Sequence, residues 1–335
     1  MRGRSGKGVV SRETTPGAGA GVSRETPPPT HAGPARPHAR GVPAAVPSGA
    51  VDEQLIARPA PALRPYVSSY AAYRQAGVPP ALHRGLPSPR LTMIFTLDEP
   101  LTLAGHPDPG QAPGSYATLL GGLHTRPALI THQGRQSGIQ LGLHPLGARA
   151  LLGLPAGELA GLDLPAEAVL GPRGRDIAER LRSAADWPER FALLDAHLLR
   201  WLDREPGGAG PAQAPEVARA WQLLTTSRGA VPVAALADDI GWSTRHLTAR
   251  FRQETGLTPK AAARVIRFDR ARRRLGAAAR TGSPPLLAEL AADCGYFDQA
   301  HLAREFRSLA GCPPSRWLAE EFRNVQAPAD GCAKG

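Results

Sequence analysis

The chain has 335 residues, 40 Lys and Arg against 29 Asp and Glu, and a formal net charge of +11. That length suits two domains and a tail, and no apolar run reaches the roughly 18 residues of a membrane span. The basic start is not followed by an apolar core, so no secretory leader is expected, and three cysteines (Cys294, Cys312, Cys332) cannot form a disulfide framework or a four-ligand zinc site; reduced thiols in the cytoplasm are expected.

The charge is unevenly placed: +5 over residues 1–50, zero over 51–214 and +6 over 215–325. Residues 1–50 hold 8 Pro and 9 Gly, and after Met1 their only large apolar residues are valines. Such a stretch cannot bury enough surface to offset its chain entropy, and a disordered tail is expected there, with another at 326–335. Val-Ser-Arg-Glu-Thr occurs at Val10–Thr14 and again at Val22–Thr26. The tail reads either as a basic arm on DNA phosphates or as an extension without a role, and composition favours the second.

Ordered sequence is expected from near Leu55. Leu91–Leu97 is β-branched and aromatic between Pro89 and Pro100, and predicts a strand; Tyr116–Leu120, Ala128–Thr131 and Ser137–Leu143 predict others. Their spacing suggests a β-sandwich or small barrel. Leu146–Leu152, Arg175–Ala184 and Pro188–Leu202 then read as helices. The last carries Phe191, Leu194, Leu198, Trp201 and Leu202 on one face, which needs a partner: its own β-rich domain or a second copy. Pro- and Gly-rich residues 206–215 read as a linker, and 216 to about 322 as helix.

The helical segment contains one unit twice. Leu236, Ala237 and Gly241 match Leu290, Ala291 and Gly295 at an offset of 54; Leu247, Phe251, Gly256 and Pro259 match Leu302, Phe306, Gly311 and Pro314 at 55. One residue is therefore inserted in the turn of the second unit. Val233, Leu236, Ala237 and Ile240 are spaced as one helical face, as are Leu287, Leu290, Ala291 and Cys294. Gly241 and Gly295 stop those helices, Ser243 and Asp298 are N-caps for the next, and Gly256 and Gly311 end them in turn. Thr258-Pro259 opens a long helix to about Ala278. The pattern predicts two helix-turn-helix units joined by a helix about 30 Å long, close to the roughly 34 Å of one DNA turn.

The second unit reads Ala291-x-x-Cys294-Gly295-Tyr296-x-Asp298-x-x-His301-Leu302-x-Arg304-x-Phe306-Arg307, then Gly311-x-Pro313-Pro314-x-x-Trp317. On that run, residues 216–322 resemble the DNA-binding domain of the AraC/XylS family of bacterial transcription regulators. Residues 58–202 resemble, more loosely, a β-rich N-terminal domain found on some of these regulators, through Pro61–Val67 and the Leu120-Gly-Gly-Leu region; that likeness names no ligand. The fold class expected is multidomain α+β: a β-rich domain, barrel or sandwich-like, with flanking helices (51–205), a linker (206–215), and an all-α domain of two helix-turn-helix units (216–325).

Positions opposite the buried Leu/Phe pairs are expected to face DNA. Base reading falls to Arg245, Thr248 and Ala249 in the first unit and to Ala300, Ala303 and Arg304 in the second. The resemblance implies a base contact for Arg304, and bidentate Arg–guanine is the commonest specific pairing. Arg252, Arg307, Ser243, His246, His301 and the N-terminal helix amides are expected on phosphate. Thr248 and Ala249 stand where the family often carries longer polar side chains, which implies fewer bases read by the first helix, through thymine methyl groups or water. Arg264, Arg267, Arg270 and Arg274 form a basic face on the long helix, solvated or touching phosphate between the grooves.

Histidines 83, 106, 124, 132 and 144 lie in the β-rich segment without the His-x-His pair of a metal-binding barrel. No phosphate-cradling loop or nucleophile elbow occurs, so neither enzyme activity nor a cofactor is expected. Cys294 takes the place of Ile240 in the repeat and reads as a small buried residue. The function expected is a transcription regulator, activator or repressor, whose N-terminal domain senses a signal or dimerises and shifts the population of DNA-competent arrangements. Its expected partners are double-stranded promoter DNA, a small-molecule effector, RNA polymerase and a second copy of the chain, and no membrane. The alternatives are a DNA-binding domain fused to a small catalytic or metal-binding one, and an architectural DNA binder with little sequence preference.

Overall fold

A computed structural model describes residues 49–203, 214–282 and 285–322. The expectations for the two tails, and most of the 206–215 linker, lie outside the described residues. Ten strands come first: β1 (Val51–Ala57), β2 (Val67–Ala76), β3 (Ala81–Gly85), β4 (Leu91–Thr96), β5 (Leu101–Gly105), β6 (Gly114–Tyr116), β7 (Thr118–Gly121), β8 (Ala128–His132), β9 (Gln136–Leu143) and β10 (Asp163–Leu164). They form two open sheets, one in the order β1-β2-β9-β4-β7-β10 and one in the order β3-β8-β5-β6. All of the pairings are antiparallel. The arrangement is sandwich-like, and the barrel expectation gives way because neither sheet closes on itself.

The six-stranded sheet is covered on both faces, so its central strands do not alternate cleanly between buried and exposed. Leu91, Met93 and Phe95 of β4 join the main core. Ile94 turns the other way and meets Leu101, Leu103, Leu119, Ala128 and Ile130 in a second, smaller core between the sheets. The strand expected over Tyr116–Leu120 is in fact two. The chain turns a corner at Ala117, whose carbonyl accepts both the backbone N–H (3.1 Å) and the hydroxyl (2.9 Å) of Thr96. β6 thus serves one sheet and β7 the other.

Helices α1 (Ala148–Leu152), α2 (Glu167–Leu170), α3 (Pro172–Ser183) and α4 (Trp187–Asp203) follow the strands or lie between them. The first is shorter than expected, because Pro145–Gly147 forms a 3-10 turn before it. Leu194, Leu198 and Trp201 of α4 are buried in the main core. Phe191 stacks on Tyr70 of β2 at 5.9 Å, and Asp195 accepts the Tyr70 hydroxyl at 2.8 Å. The apolar face of α4 is therefore used by its own sheet.

The second region is helical: α5 (Pro215–Thr226), α6 (Val233–Ile240), α7 (Thr244–Thr255), α8 (Pro259–Arg280), α9 (Leu287–Asp293), α10 (Gln299–Ala310) and α11 (Pro314–Glu321). α5 begins at Pro215, inside the stretch read as linker. All the described residues belong to one compact unit, Pro43–Gly335, and the main core runs from Leu63 of the β-rich region to Trp317 of α11 without a break. No helix of the described residues is long and apolar enough to cross a membrane.

Candidate nucleic-acid interface

The repeat becomes two turns that open in the same way. Gly241 ends α6 and Gly295 follows α9, both at φ 76°, a left-handed backbone where a Cβ would be strained. The next N–H groups turn back on the helices: Trp242 donates to Ala237 (3.0 Å) and Tyr296 to Ala291 (2.9 Å). Ser243 caps α7 by accepting the His246 N–H at 3.2 Å, and Asp298 caps α10 by accepting the His301 N–H at 2.6 Å. Those two amides are therefore engaged by the caps. The rings of His246 and His301 pack edge-on to Trp242 and Tyr296, with centroids 4.6 and 5.3 Å apart.

The inner faces are as the spacing predicts. Leu247 and Phe251 of α7 are fully buried, with Phe251 stacked on Trp221 at 5.8 Å. Leu302, Phe306 and Leu309 of α10 are buried likewise, with Phe306 against Phe268 at 5.0 Å and Trp317 at 5.6 Å. On the outer faces Arg245, His246, Ala249 and Arg252 are exposed, as are Ala300, Arg304 and Arg307; the cap Ser243 is exposed too. Thr248, Ala303 and His301 are partly covered. The Thr248 hydroxyl donates back to the Thr244 carbonyl at 2.7 Å, which uses up its donor.

Most arginines of the helical region away from those outer faces are tied down, Arg228 and, on α8, Arg270 excepted. Among the described residues, the side chains of Arg245, Arg252, Arg304 and Arg307 have no ion pair or hydrogen bond. On α8 the basic face is largely committed. Arg264 pairs with Glu305 of α10 at 2.9 Å and bonds Ser308; Arg267 donates to the Gly229 carbonyl; Arg274 pairs with Asp293 of α9 at 2.6 Å. Much of the expected solvated or phosphate-binding face is thus a set of staples that fix the second unit and the α5–α6 connection to α8.

Sequence reasoning missed how the β-rich region grips both units. The 3-10 turn Ala156–Leu159 lies on the C-terminal end of α7, so close that a Cβ on Gly157 would overlap the Gln253 carbonyl oxygen. Arg149 of α1 makes a two-point bond to Glu254 of α7 (2.9 and 2.8 Å), with the carboxylate 6% exposed. A signal existed: Glu254 follows Leu247 and Phe251 at the next buried position of the helix, where an acidic residue requires a partner. At the second unit, buried Arg84 of β3 bonds Glu320 of α11 at 2.7 Å and the Ala310 carbonyl at 3.3 Å. The Arg84 hydrogen bond holds the Glu320 carboxyl below its ordinary range. Beside it His83 pairs with Glu321 at 2.8 Å.

A cavity of about 260 Å³ opens at this seam. Its floor is the second core, Ile94, Leu101, Leu103, Leu119, Ala128 and Ile130, and Arg272, Trp317 and Glu321 of the helical region also line it. Arg272 Nε and Trp317 Nε1 are buried without a hydrogen-bond partner among the described residues. The histidines weighed for metal are dispersed: His106 bonds Asp163 at 2.9 Å, His124 the Arg126 carbonyl, and His132 the Gly134 N–H. Among the described residues no three His, Cys, Asp or Glu side chains gather as a metal site. Burial pushes the Cys294 and Cys312 thiols up, which makes them poor nucleophiles.

Residues 236–320 match the family described as a helix-turn-helix domain, and residues 56–165 match a domain of unknown function, DUF6597. No curated protein matches the chain. Among solved structures it is similar to ToxT from Vibrio cholerae O395, at 12% identity over 77% of this chain and 98% of that one, with a TM-score of 0.45. It is similar to the C-terminal domain of AraT, a response regulator from Geobacillus stearothermophilus, at 20% identity over 37% and 97%, with a TM-score of 0.29. The AraC-like transcriptional activator CuxR matches at 15% identity over 64% and 79%, with a TM-score of 0.25. These structural likenesses are distant, whereas the helix-turn-helix match spans both turns and both capped helices described above. Residues 236–320 are therefore an AraC-type helix-turn-helix domain, and residues 56–165 a DUF6597 domain.

Proposed function

We propose that the chain controls transcription by placing α7 and α10 in successive major grooves on one face of promoter DNA. Arg304 and Arg245 read base edges, helped by Thr248, Ala249, Ala300 and Ala303; Arg252, Arg307, Ser243, His246 and His301 meet phosphate. One observation carries this reading: two unpaired, exposed arginines stand on each helix, in a region whose neighbouring arginines are mostly tied down. Unpaired guanidinium groups are free for guanine or phosphate oxygen atoms. The 22 residues of α8 give a spacer of about 33 Å, close to a turn of DNA. Selection of bound sequences from random DNA by the full chain should return two short blocks about 10–10.5 base pairs apart. A single block, or no preferred sequence, would refute the two-groove reading.

The finer part of the proposal is control by a small molecule at the seam. The cavity has an apolar floor, and two buried N–H groups without acceptors belong to residues lining its helical side, which suits a largely apolar molecule with a hydrogen-bond-accepting head. Such a molecule touches both regions and so can favour one arrangement over another. A compound of this class should raise the melting temperature of the full chain, and Leu103→Trp, which fills the floor, should abolish that rise. A rise that survives the substitution would place the effector elsewhere.

A further inference from the structure

Phe297 is the residue that sets the two units apart. Gly241-Trp242 matches Gly295-Tyr296 at an offset of 54, and Ser243 matches Asp298 at 55, so Phe297 is the insertion. Its side chain is 93% exposed, more than any other large hydrophobic side chain among the described residues. Its backbone is tied: the Phe297 N–H donates to His301 Nδ1 at 3.3 Å, and the following residue, Asp298, is the cap of α10. The His301 ring rests in turn on Tyr296. This turn holds a phenyl ring in water at the N-terminal lip of α10, where a polar residue would serve the turn equally well.

The ring also has a place. Phe297 stands immediately outside the cap of α10, three residues before Ala300 and seven before Arg304 of that helix's outward row. That row is short-armed, since Ala300 and Ala303 offer only methyl groups and Arg304 alone reaches a polar base edge. N-terminal residues of the second helix of such a unit are the ones that meet bases. In the major groove the one apolar group is the thymine methyl.

We propose that Phe297 is a specificity-determining residue: its ring packs on the 5-methyl group of a thymine in the half-site read by α10. The proposal rests on the reading in which α10 enters the major groove. It explains why an insertion in one unit brings an exposed aromatic side chain and not a polar one, and it makes the two half-sites unequal, because α7 has no counterpart.

The test uses the full chain and the duplex that it selects from random DNA. Each thymine of the α10 half-site is replaced in turn by deoxyuridine, which removes only the methyl group. The native chain should lose affinity at one position by roughly fourfold, the value of one buried methyl group. Phe297→Ala should bind the thymine duplex more weakly and show no further loss with uracil at that position, while Phe297→Leu keeps part of the response. Arg304→Ala should weaken binding yet leave the uracil response intact. An equal uracil response in native chain and Phe297→Ala overturns the proposal. Failure to select any sequence removes the groove reading itself, and the proposal with it, and is told apart by the missing duplex.

Discussion

At the scale of single residues, the arginines are the informative set. A guanidinium that already holds a carboxylate, as Arg264 holds Glu305, must break that pair before it can bind phosphate. Arg304 carries no such debt. Arg304→Ala should therefore cost about 1–3 kcal/mol of binding and relax preference at one base position in the α10 block. Equal weakening on all sequences, measured by competition with random DNA, would move Arg304 to the phosphate group. Residue type and spacing made the caps Ser243 and Asp298 and the glycines 241 and 295 legible, since each solves a local backbone problem. The role of the α8 arginines was not legible, because their acceptors Glu305, Asp293 and the Gly229 carbonyl lie far away in sequence.

At the scale of elements, β4 could be read because β-branched and aromatic residues stand between prolines. β1 and β2 could not. Val51–Ala57 is exposed on both faces as an edge strand, so it has no alternation to detect, and β2 is built largely from small and polar residues whose burial comes from β9 and α4. The contact of β3 with α11 was likewise hidden, and it is pH-sensitive from both sides. At His83, desolvation and Arg272 oppose protonation, but the Glu321 carboxylate and the hydrogen bond to it prevail and hold the pKa above its ordinary 6.5. That contribution is full below 6.5 and is lost as pH rises through the raised value. Glu320, held below its ordinary 4.5 by Arg84, contributes fully above 4.5 and loses its contribution as pH falls through the lowered value. Stability of the full chain in urea should therefore fall off on both sides of that window. Glu321→Gln should flatten the alkaline limb and leave the acid limb standing; an unchanged alkaline limb would show that the His83 pair contributes nothing measurable.

At the scale of the whole molecule, the β-rich region touches both helix-turn-helix units, one through Arg149–Glu254 and the other through Arg84, which bonds the Ala310 carbonyl at the end of α10 and Glu320 of α11 behind it. It therefore acts as a brace across the two helices in addition to α8. Inserting one base pair between the two DNA blocks should weaken the native chain by roughly tenfold, the scale of one mismatched base pair. The double variant Arg84→Ala/Arg149→Ala should tolerate that insertion better, as read by gel shift on the two duplexes. An unchanged penalty would assign the spacing entirely to α8 and its own arginines.

The closest approach along that brace is at Gly157, which has no side chain to hold it away from the Gln253 backbone. The two regions of such a chain are often imagined as interchangeable parts. Here the joint is made to a tolerance smaller than one methyl group, and its two ion pairs need carboxylates at fixed places on α7 and α11. A hybrid that grafts another helical region onto residues 51–203 would inherit a mismatched socket unless it also carried the equivalents of Glu254 and Glu320. In this chain, exchange of modules is limited by fit at the joint, and linker length is the lesser concern.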